Sequence, residues 1–208
     1  HRFLKAFPNV QTLADADEQD VLMQWQGLGY YRRARHLHQA AKEIVTTNHG
    51  LLPTTQEELK KLTGFGPYTS GSVASIAFGQ KVPCVDGNVK RVLSRLYKTH
   101  KDVTPYAFDL AQHDHPSSIN QGIMELGATL CKAQSPHCLI CPLRDQCQAL
   151  ETKTIDAYPA KKIKAAPKQI YATSLILSHA KSHQLLMQQR SKTGRWAGMW
   201  EFPYFEFE

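Results

Sequence analysis

The amino-acid sequence predicts a mainly α-helical protein that ends in a short β-rich segment. Three observations lead to this fold class. Apolar residues recur at helical spacing through most of the chain, helix-start signals such as Thr55 with Glu58 and the proline at Pro67 precede several of these stretches, and the residues from Trp200 onward form an alternating, strand-like run. With 208 residues the chain can bury one substantial core or two small ones.

The composition favours a polyanionic partner and argues against a membrane protein. The net charge is +7 and the isoelectric point is near 9.2, a balance that is common among nucleic-acid-binding proteins. No run of about 18 apolar residues occurs, so we expect no membrane span. Nothing in the sequence resembles a secretory signal. The ten histidines show no metal-ligand pattern, and we expect most of them at the surface.

Both ends of the chain look cut. Residues 1–7 have a helical apolar face but neither an initiator methionine nor a capping residue, and the other end stops inside the alternating run. We therefore expect further chain at each end.

The first helices are predicted on either side of a glycine-marked turn. Asp17 can cap a helix that ends at the glycines of residues 27–29. The turn leads into Tyr30 and Tyr31, and aromatic rings among arginines suit stacking on bases beside phosphate contacts. The alternative is a core tyrosine beside a solvated basic face, and we prefer it for Tyr31. The arginines are Arg32, Arg33 and Arg35.

Two further helices joined by a tight turn are predicted in the middle of the first hundred residues. Thr55 and Glu58 have the spacing of a capping box, and the helix that they start runs to about Leu62. Pro67 suits the first position of the second helix, which ends at Gly79. The sequence thus predicts a helical hairpin.

The turn of this hairpin contains Gly64 and Gly66. A helix start that follows glycines presents unpaired backbone N–H groups and the positive end of the helix dipole, which together suit a phosphate. A hairpin of this kind, here with Gly64, Gly66 and Thr69, can hold a nucleic-acid backbone without reading its sequence. An ordinary helix–turn–helix corner is the alternative, and the short Leu-x-Gly-x-Gly pattern does not decide between them.

Asp86 follows the apolar segment 82–85 and precedes an amphipathic helix. An aspartate at this place could merely cap that helix. However, residues 85–92, Val-Asp-Gly-Asn-Val-Lys-Arg-Val, resemble the helix-hairpin-helix DNA glycosylase superfamily and, within it, the adenine glycosylase branch of the MutY type. The resemblance extends from Phe7 to Pro203 and so does not depend on one motif.

The resemblance implies a monofunctional glycosylase that removes adenine paired with 8-oxoguanine, or with guanine, from double-stranded DNA. Asp86 would then be the catalytic anion, and Tyr68 with Asn88 would position it and the attacking water. Tyr30 would wedge into the duplex beside the lesion, and Lys90 would contact a phosphate. We expect a monomer, in the cytoplasm of a bacterium or in the nucleus or mitochondria of a eukaryote.

Tyr68 distinguishes this branch from its nearest relatives. Endonuclease III-like enzymes carry a lysine at this place, and its amine attacks the sugar to form a Schiff base, which a tyrosine cannot do. A bifunctional lyase therefore remains only as an alternative. A catalytically silent DNA-binding fragment is another, because the resemblance places the proton-donating glutamate and a Gln-Thr-Gln motif upstream of residue 1. If the chain is complete as given, we expect base excision to be severely impaired.

Four of the five cysteines lie within seventeen residues, with the spacing C-x6-C-x2-C-x5-C. They are Cys131, Cys138, Cys141 and Cys147. Four thiolates suit a tetrahedral zinc or a 4Fe-4S cluster, and spacing alone does not separate the two. The loop resembles the cluster loop of endonuclease III and MutY-type enzymes, which implies a 4Fe-4S cluster that holds a basic loop against DNA. Lys132, His137 and Arg144 lie between the cysteines, and Cys84 is predicted to be a core residue.

The tail of the chain is predicted to be β-rich. Residues 171–177 read as a strand, and residues 183–190 could be its hairpin partner. Residues 194–203 resemble the opening of the Nudix-like domain with which MutY-type enzymes recognise 8-oxoguanine. Fewer than forty residues cannot make that domain, and no Nudix hydrolase box follows, so we expect no pyrophosphatase activity.

The predicted architecture is a two-lobed helix-hairpin-helix glycosylase fold. Residues 1–115 would form a helical barrel lobe with the hairpin, residues 116–152 the iron–sulfur lobe, residues 153–170 a basic linker, and residues 171–208 the start of an incomplete Nudix-like domain. The catalytic cleft would lie between the lobes, with Asp86 and Tyr68 in its lining.

Overall fold

The structure is a computed structural model in which residues 1–160, 166–167, 169–194 and 196–207 are described. The chain divides into two units, His1–Lys162 and Ile163–Glu208. The first unit contains the α-helices α1 Arg2–Ala6, α2 Val10–Asp15, α3 Glu18–Gln24, α4 Arg32–Asn48, α5 Gln56–Leu59, α6 Pro67–Phe78, α7 Gly87–Leu96, α8 Thr104–Ala111, α9 Pro116–Thr129 and α10 Gln148–Glu151. It also contains 3-10 turns at Cys138–Ile140, Arg144–Gln146 and Ile155–Ala157. The strands of the second unit are β1 Tyr171–Ser174, β2 Gln188–Gln189, β3 Trp200–Glu201 and β4 Tyr204–Phe207.

The helices capped by Asp17 and Thr55 begin where the sequence predicts, but both end early. The side chains of Asp17 and Thr55 cap α3 and α5, accepting backbone hydrogen bonds at 2.7 and 3.3 Å. α5 ends at Leu59 instead of near Leu62, and α3 likewise stops at Gln24. Beyond each end the backbone N–H groups bond three residues back rather than four, so the chain tightens into turns.

The apolar core of the first unit consists of three clusters. The first joins α2, α3 and α4, the second joins α4, α5 and α6, and the third joins α7 and α8. Fully buried members are Val21 and Ala34 in the first, Leu59 and Ala74 in the second, and Leu93 in the third. Because α4 contributes to two clusters, it ties the N-terminal helices to the helical hairpin.

The segment before α7 is fixed by a buried amide. Asn120 of α9 accepts a hydrogen bond from the backbone N–H of Cys84 at 3.2 Å and donates to the Val82 carbonyl at 3.0 Å and the Ser75 hydroxyl at 2.7 Å. Cys84 is fully buried, which confirms the prediction that it is a core residue. The direction of the chain into Asp86 is therefore set by a side chain from a different helix.

Two glycines allow the helices of the site to approach closely. A Cβ at Gly127 of α9 would lie 2.6 Å from the Cβ of Asn88, and a Cβ at Gly71 of α6 would lie 2.3 Å from the carbonyl oxygen of Pro83. Both distances are far below van der Waals contact. The fold thus requires glycine at two places. One is where α9 packs on α7, and the other is where α6 packs on the segment that precedes α7.

The second unit consists of short antiparallel pairs. β1 pairs with β4, from Tyr171 opposite Phe207 to Ser174 opposite Tyr204, and β2 pairs with β3. The predicted pairing of residues 171–177 with residues 183–190 is therefore wrong for β1. It survives only beyond that strand, where Ser178 forms an isolated bridge with Leu185, because all four residues of β1 already have antiparallel partners in β4.

Some expectations concern surface residues or residues outside those that the structure describes. Most histidines are exposed as expected, whereas His38 is buried in α4. Part of the predicted linker, at residues 161–165 and 168, lies outside the described residues, as does Arg195 of the Nudix-like stretch. Within the described ranges, no helix combines the length and apolar character that crossing a membrane would require.

We expect Gly127→Ala to destabilise the protein by about 1–3 kcal/mol, because the added methyl group must push α9 away from Asn88. Gly122→Ala is the matched control on the same helix, where a Cβ meets nothing within 4 Å. The control should be neutral or stabilising by up to about 1 kcal/mol through helix propensity. Urea unfolding of the two variants measures both effects, and equal stabilities would contradict the close packing of α7 on α9.

Candidate active site and metal centre

The helical hairpin forms as predicted and is held against α4. Gly64 has a left-handed backbone, φ +82°, and a Cβ on it would lie 2.5 Å from the Cβ of His36. Gly66 is the N-cap of α6, and Pro67 occupies the first turn. Since the first N–H groups of a helix have no acceptors inside it, the start of α6 can bind an anion, and Thr69 lies in this turn, half-buried.

Asp86 caps α7 with its side chain. One carboxylate oxygen accepts the backbone N–H of Val89 at 2.7 Å, and the other accepts the side-chain amide of Asn88 at 3.1 Å. The carboxylate is half-buried, and each oxygen keeps a lone pair beyond these bonds. The capping role considered from the sequence is therefore real, and it leaves the carboxylate able to interact with another group.

An arginine orients Asn88 and ties it to the cysteine loop. Arg91 donates to the Asn88 side-chain oxygen at 2.9 Å, to the Gly127 carbonyl at 2.7 Å and to the Cys131 carbonyl at 2.7 Å. Because the Asn88 oxygen receives the guanidinium, its NH₂ group faces Asp86. One side chain thus connects the start of α7, the close approach of α9 and the first cysteine of the loop.

Tyr68 lies in the first turn of α6 and is 42% exposed. Its hydroxyl donates to the sulfur of Met124 at 3.6 Å. The pKa of Tyr68 is raised, first by burial and then by the nearby Cys84 and Asp86 groups. The same Met124 sulfur contacts the Cys84 thiol at 3.8 Å, so Tyr68 lies near the segment that leads into Asp86.

The loop before α4 exposes Tyr30. This residue is 83% exposed and has a left-handed backbone, φ 47°. The indole N–H of Trp25 holds the Gly29 carbonyl at 3.0 Å, and the Arg33 guanidinium lies over the rings of Trp25 and Tyr30 at 5.7 and 5.5 Å. Tyr31 packs against the first core cluster, as we preferred from the sequence.

Lys90, the remaining predicted DNA-binding residue, is exposed near the start of α7. Among the described residues, one cavity of about 330 Å³ borders Tyr68 and Val85, and another of about 600 Å³ lies between the end of α4 and α5. Asp86 is absent from the lining of both, so neither is the cleft that was predicted to contain Asp86 and Tyr68 together.

The four loop cysteines line a common small cavity with Arg95. Arg95 is buried and donates to the Cys131 sulfur at 3.4 Å and to the carbonyls of Lys132, Ala133 and Tyr158. The pKa of the Cys138 thiol is raised by burial and by the other three thiols, while Arg95 opposes the shift. The thiols surround the cavity without converging on one point, since no three His, Cys, Asp or Glu in the described ranges could hold a single metal ion.

Sequence reasoning missed three residues that organise the site. Arg91 and Arg95 lie one turn apart on α7, beside its apolar face and not on it, so the helical pattern gave no signal that they bind the carbonyls of residues 36 to 40 positions away. Met124 gave no signal, because its contact with Tyr68 joins residues 56 positions apart in the chain.

A glycine-turned helical hairpin, a capping aspartate after it and a four-cysteine loop define a helix-hairpin-helix protein with a metal-cluster loop. Residues 1–111 match the family model described as HhH-GPD superfamily base excision DNA repair protein, and residues 131–147 match the iron-sulfur binding domain of endonuclease III. The chain belongs to the HhH-GPD superfamily of base excision DNA repair proteins.

Two curated relatives of the chain are named adenine DNA glycosylase. The adenine DNA glycosylase of Arabidopsis thaliana is 39% identical over 90% of this chain and 33% of its own length. That of Buchnera aphidicola subsp. Acyrthosiphon pisum is 32% identical over 99% of this chain and 61% of its own. The chain therefore spans between a third and about three fifths of these two relatives. A non-covalent endonuclease III–DNA complex is similar in fold, with a TM-score of 0.64 and 26% identity over 73% of this chain and 74% of that one.

The cysteine loop is an iron–sulfur site, and the donor set fits a 4Fe-4S cluster. Among the described residues that line the cavity, the possible metal ligands are the four cysteine thiols and His137. The Arg95 cation can stabilise the thiols as thiolates. The four cysteines would hold the cluster, with Arg91 and Arg95 fixing the backbone of its loop. The prediction of iron in preference to zinc is thereby confirmed.

We expect Cys138→Ser to lose the cluster, because one thiolate ligand is replaced by a poor iron ligand. Cys84→Ala is the control, since Cys84 is buried away from the loop cavity and should leave the cluster intact. Iron content and visible absorption of the purified variants measure the outcome. Equal iron in both variants would contradict the ligand assignment.

Proposed function

We propose that this protein is a monofunctional DNA glycosylase that hydrolyses the N-glycosidic bond of adenine paired with 8-oxoguanine or guanine. The observation that carries the proposal is the Asp86 carboxylate, oriented by Asn88 at the start of α7, with Tyr68 of the hairpin linked through Met124 to Cys84, two residues before Asp86. The curated relatives named adenine DNA glycosylase support the choice of base. The proposed organisation keeps residues 1–115 and 116–152 as two lobes of one monomeric enzyme.

Double-stranded DNA is the proposed partner. The net charge of +7 favours it, and a structure similar in fold is an endonuclease III–DNA complex. The amides after Gly64 and Gly66, with Thr69 and Lys90, would bind phosphates and so fix the position of the strand without reading its sequence.

The chemistry requires an anion near the anomeric carbon. As the bond from the sugar to adenine breaks, positive charge develops on the sugar, and a water then adds its oxygen to that carbon while a proton goes to the departing purine. A carboxylate about 4 Å from a unit charge contributes about 4 kcal/mol at an effective dielectric near 20. This corresponds to about three decades in rate, which is the role that we assign to Asp86.

Asn88 and Tyr68 would position this carboxylate and the water. Asn88 already donates a hydrogen bond to Asp86. The hydrogen bond from Arg91 to the Asn88 side-chain oxygen prevents the Asn88 amide from rotating. Tyr68 would reach the region as a neutral phenol, since its pKa is raised by burial and by the Cys84 and Asp86 groups.

The target adenine must leave the base stack before it can react. Extrusion costs a few kcal/mol. Tyr30, exposed and held in a left-handed conformation beside Arg33, would offset part of this cost by entering the duplex in place of the base. When bound, the iron–sulfur cluster would supply structure rather than chemistry, and the loop residues Lys132, His137 and Arg144 would lie on the DNA backbone.

We expect Asp86→Asn to lower the rate of adenine release by about 10³-fold or more, because the substitution removes the charge that stabilises the sugar cation. Asparagine remains a good N-cap, so α7 and duplex binding should be retained. Asp17→Asn, the same exchange at the cap of α3, is the control and should keep full activity. Single-turnover release from an adenine:8-oxoguanine duplex by the full-length protein measures the effect, and an active Asp86→Asn variant would refute the assignment.

We expect no covalent protein–DNA complex when borohydride is added during adenine release, because Tyr68 cannot form the Schiff base that borohydride reduces. Tyr68→Lys places an amine at this position and serves as the positive comparison. Trapping by the unaltered protein that disappears in Lys90→Gln would show a lyase that uses Lys90. Gel electrophoresis of the borohydride reactions distinguishes these results.

A further inference from the structure

A carboxylate from α4 holds the turn of the hairpin. Glu43 accepts the backbone N–H of Thr63 at 2.8 Å and the Thr63 hydroxyl at 2.6 Å. Gln39, one turn earlier on α4, donates to the same carboxylate at 3.1 Å. Three donors therefore converge on one half-buried side chain. Thr63 immediately precedes Gly64, so the contact lies at the entrance to the glycine turn.

The same face of α4 also limits the turn sterically. His36 lies two turns before Glu43, and its Cβ would be 2.5 Å from a Cβ on Gly64. The turn is thus packed at Gly64 and hydrogen-bonded at Thr63 by one rigid helix. The N-terminus of that helix follows Tyr30, so α4 sets the hairpin and the exposed tyrosine relative to each other.

Glu43 is ionised in this arrangement. Burial by itself raises the pKa of its carboxyl, but the Thr63 hydroxyl, the Thr63 amide and Gln39 lower it below the ordinary value. A negative charge beside a phosphate-binding turn opposes DNA binding by simple electrostatics. If Glu43 favours DNA binding, it must do so through its hydrogen bonds to Thr63, which hold the glycine turn.

We propose that Glu43 is a positioning residue for DNA binding, which fixes Thr63 so that the amides of Gly64 and Gly66 are aligned for a phosphate before DNA arrives. This inference rests on the proposed grip of the hairpin on duplex DNA. It gives a role to a residue outside the proposed catalytic set, since the described hydrogen bonds of Glu43 are with Thr63 and Gln39 and not with Tyr68 or Asp86. An aligned turn loses less conformational freedom on binding than a loose one.

The test is the affinity of Glu43→Gln for an adenine:8-oxoguanine duplex at several salt concentrations. Electrostatics alone predicts tighter binding, because a negative charge is removed. The proposal predicts the opposite sign, about tenfold weaker binding, which is the loss of about one charge-assisted hydrogen bond. Glu57→Gln, the same charge change at an exposed residue of α5, should bind as well as the unaltered protein or better.

Glu43→Gln binding as tightly as the unaltered protein, or more tightly, overturns the proposal. A fall in melting temperature with unchanged affinity well below that temperature also overturns it, since the role would then be structural only. Thr63→Val provides the second variant because it removes the hydroxyl and keeps the amide. Its effect on affinity should be smaller, and it should add little in the double variant with Glu43→Gln, since both act through one contact.

Hydrogen exchange separates this inference from the proposed function. In the free protein, the Thr63 amide should be protected, and it should lose protection in Glu43→Gln but not in Glu57→Gln. If the unaltered protein fails to bind duplex DNA, the proposed function fails whatever the exchange result. Unchanged exchange at Thr63 in Glu43→Gln overturns the positioning role even when DNA binding is normal.

Discussion

The position of Asp86 depends on one close approach, the packing of α7 on α9 at Gly127. There is no room for a methyl group between Gly127 and Asn88, so α7 lies directly on α9. That contact brings the Gly127 carbonyl within reach of Arg91, which in turn orients Asn88. The Asn88 amide in turn donates a hydrogen bond to the Asp86 carboxylate. The close approach of α9 to α7 therefore supports one of the two hydrogen bonds that orient the Asp86 carboxylate, and the backbone N–H of Val89 supplies the other.

α7 also holds the iron–sulfur loop, and its two arginines make different contacts. Arg91 joins the Asp86 region to the carbonyl of Cys131, whereas Arg95, one turn later, is buried among loop carbonyls and the Cys131 sulfur. A buried guanidinium is costly unless acceptors surround it, and the loop supplies them from residues 131–133 and from Tyr158. The loop and the arginine satisfy each other, and thiolate charge adds to the attraction.

Local signals in the sequence predicted the parts of the fold that depend on near neighbours. The caps at Asp17 and Thr55, the helix start at Pro67 and the cysteine spacing all involve partners within a few residues. The missed features join distant positions, such as Arg91 with Cys131, 40 residues away, and Glu43 with Thr63, 20 residues away. No periodicity encodes such pairs. β1 was mispaired for the same reason, because its partner lies at the far end of the second unit.

Asp86 shows why capping and an active-site role need not be alternatives. The cap uses one lone pair of one oxygen, and the dipole of α7 favours the negative charge there. The amide of Asn88 uses one lone pair of the other oxygen, which leaves each oxygen able to face a cation. In the function that we propose, the cap would already hold the carboxylate in place before DNA binds, so no reorganisation would be needed when charge develops on a sugar. The cap that the local sequence predicts is thus compatible with the catalytic role that we propose for Asp86.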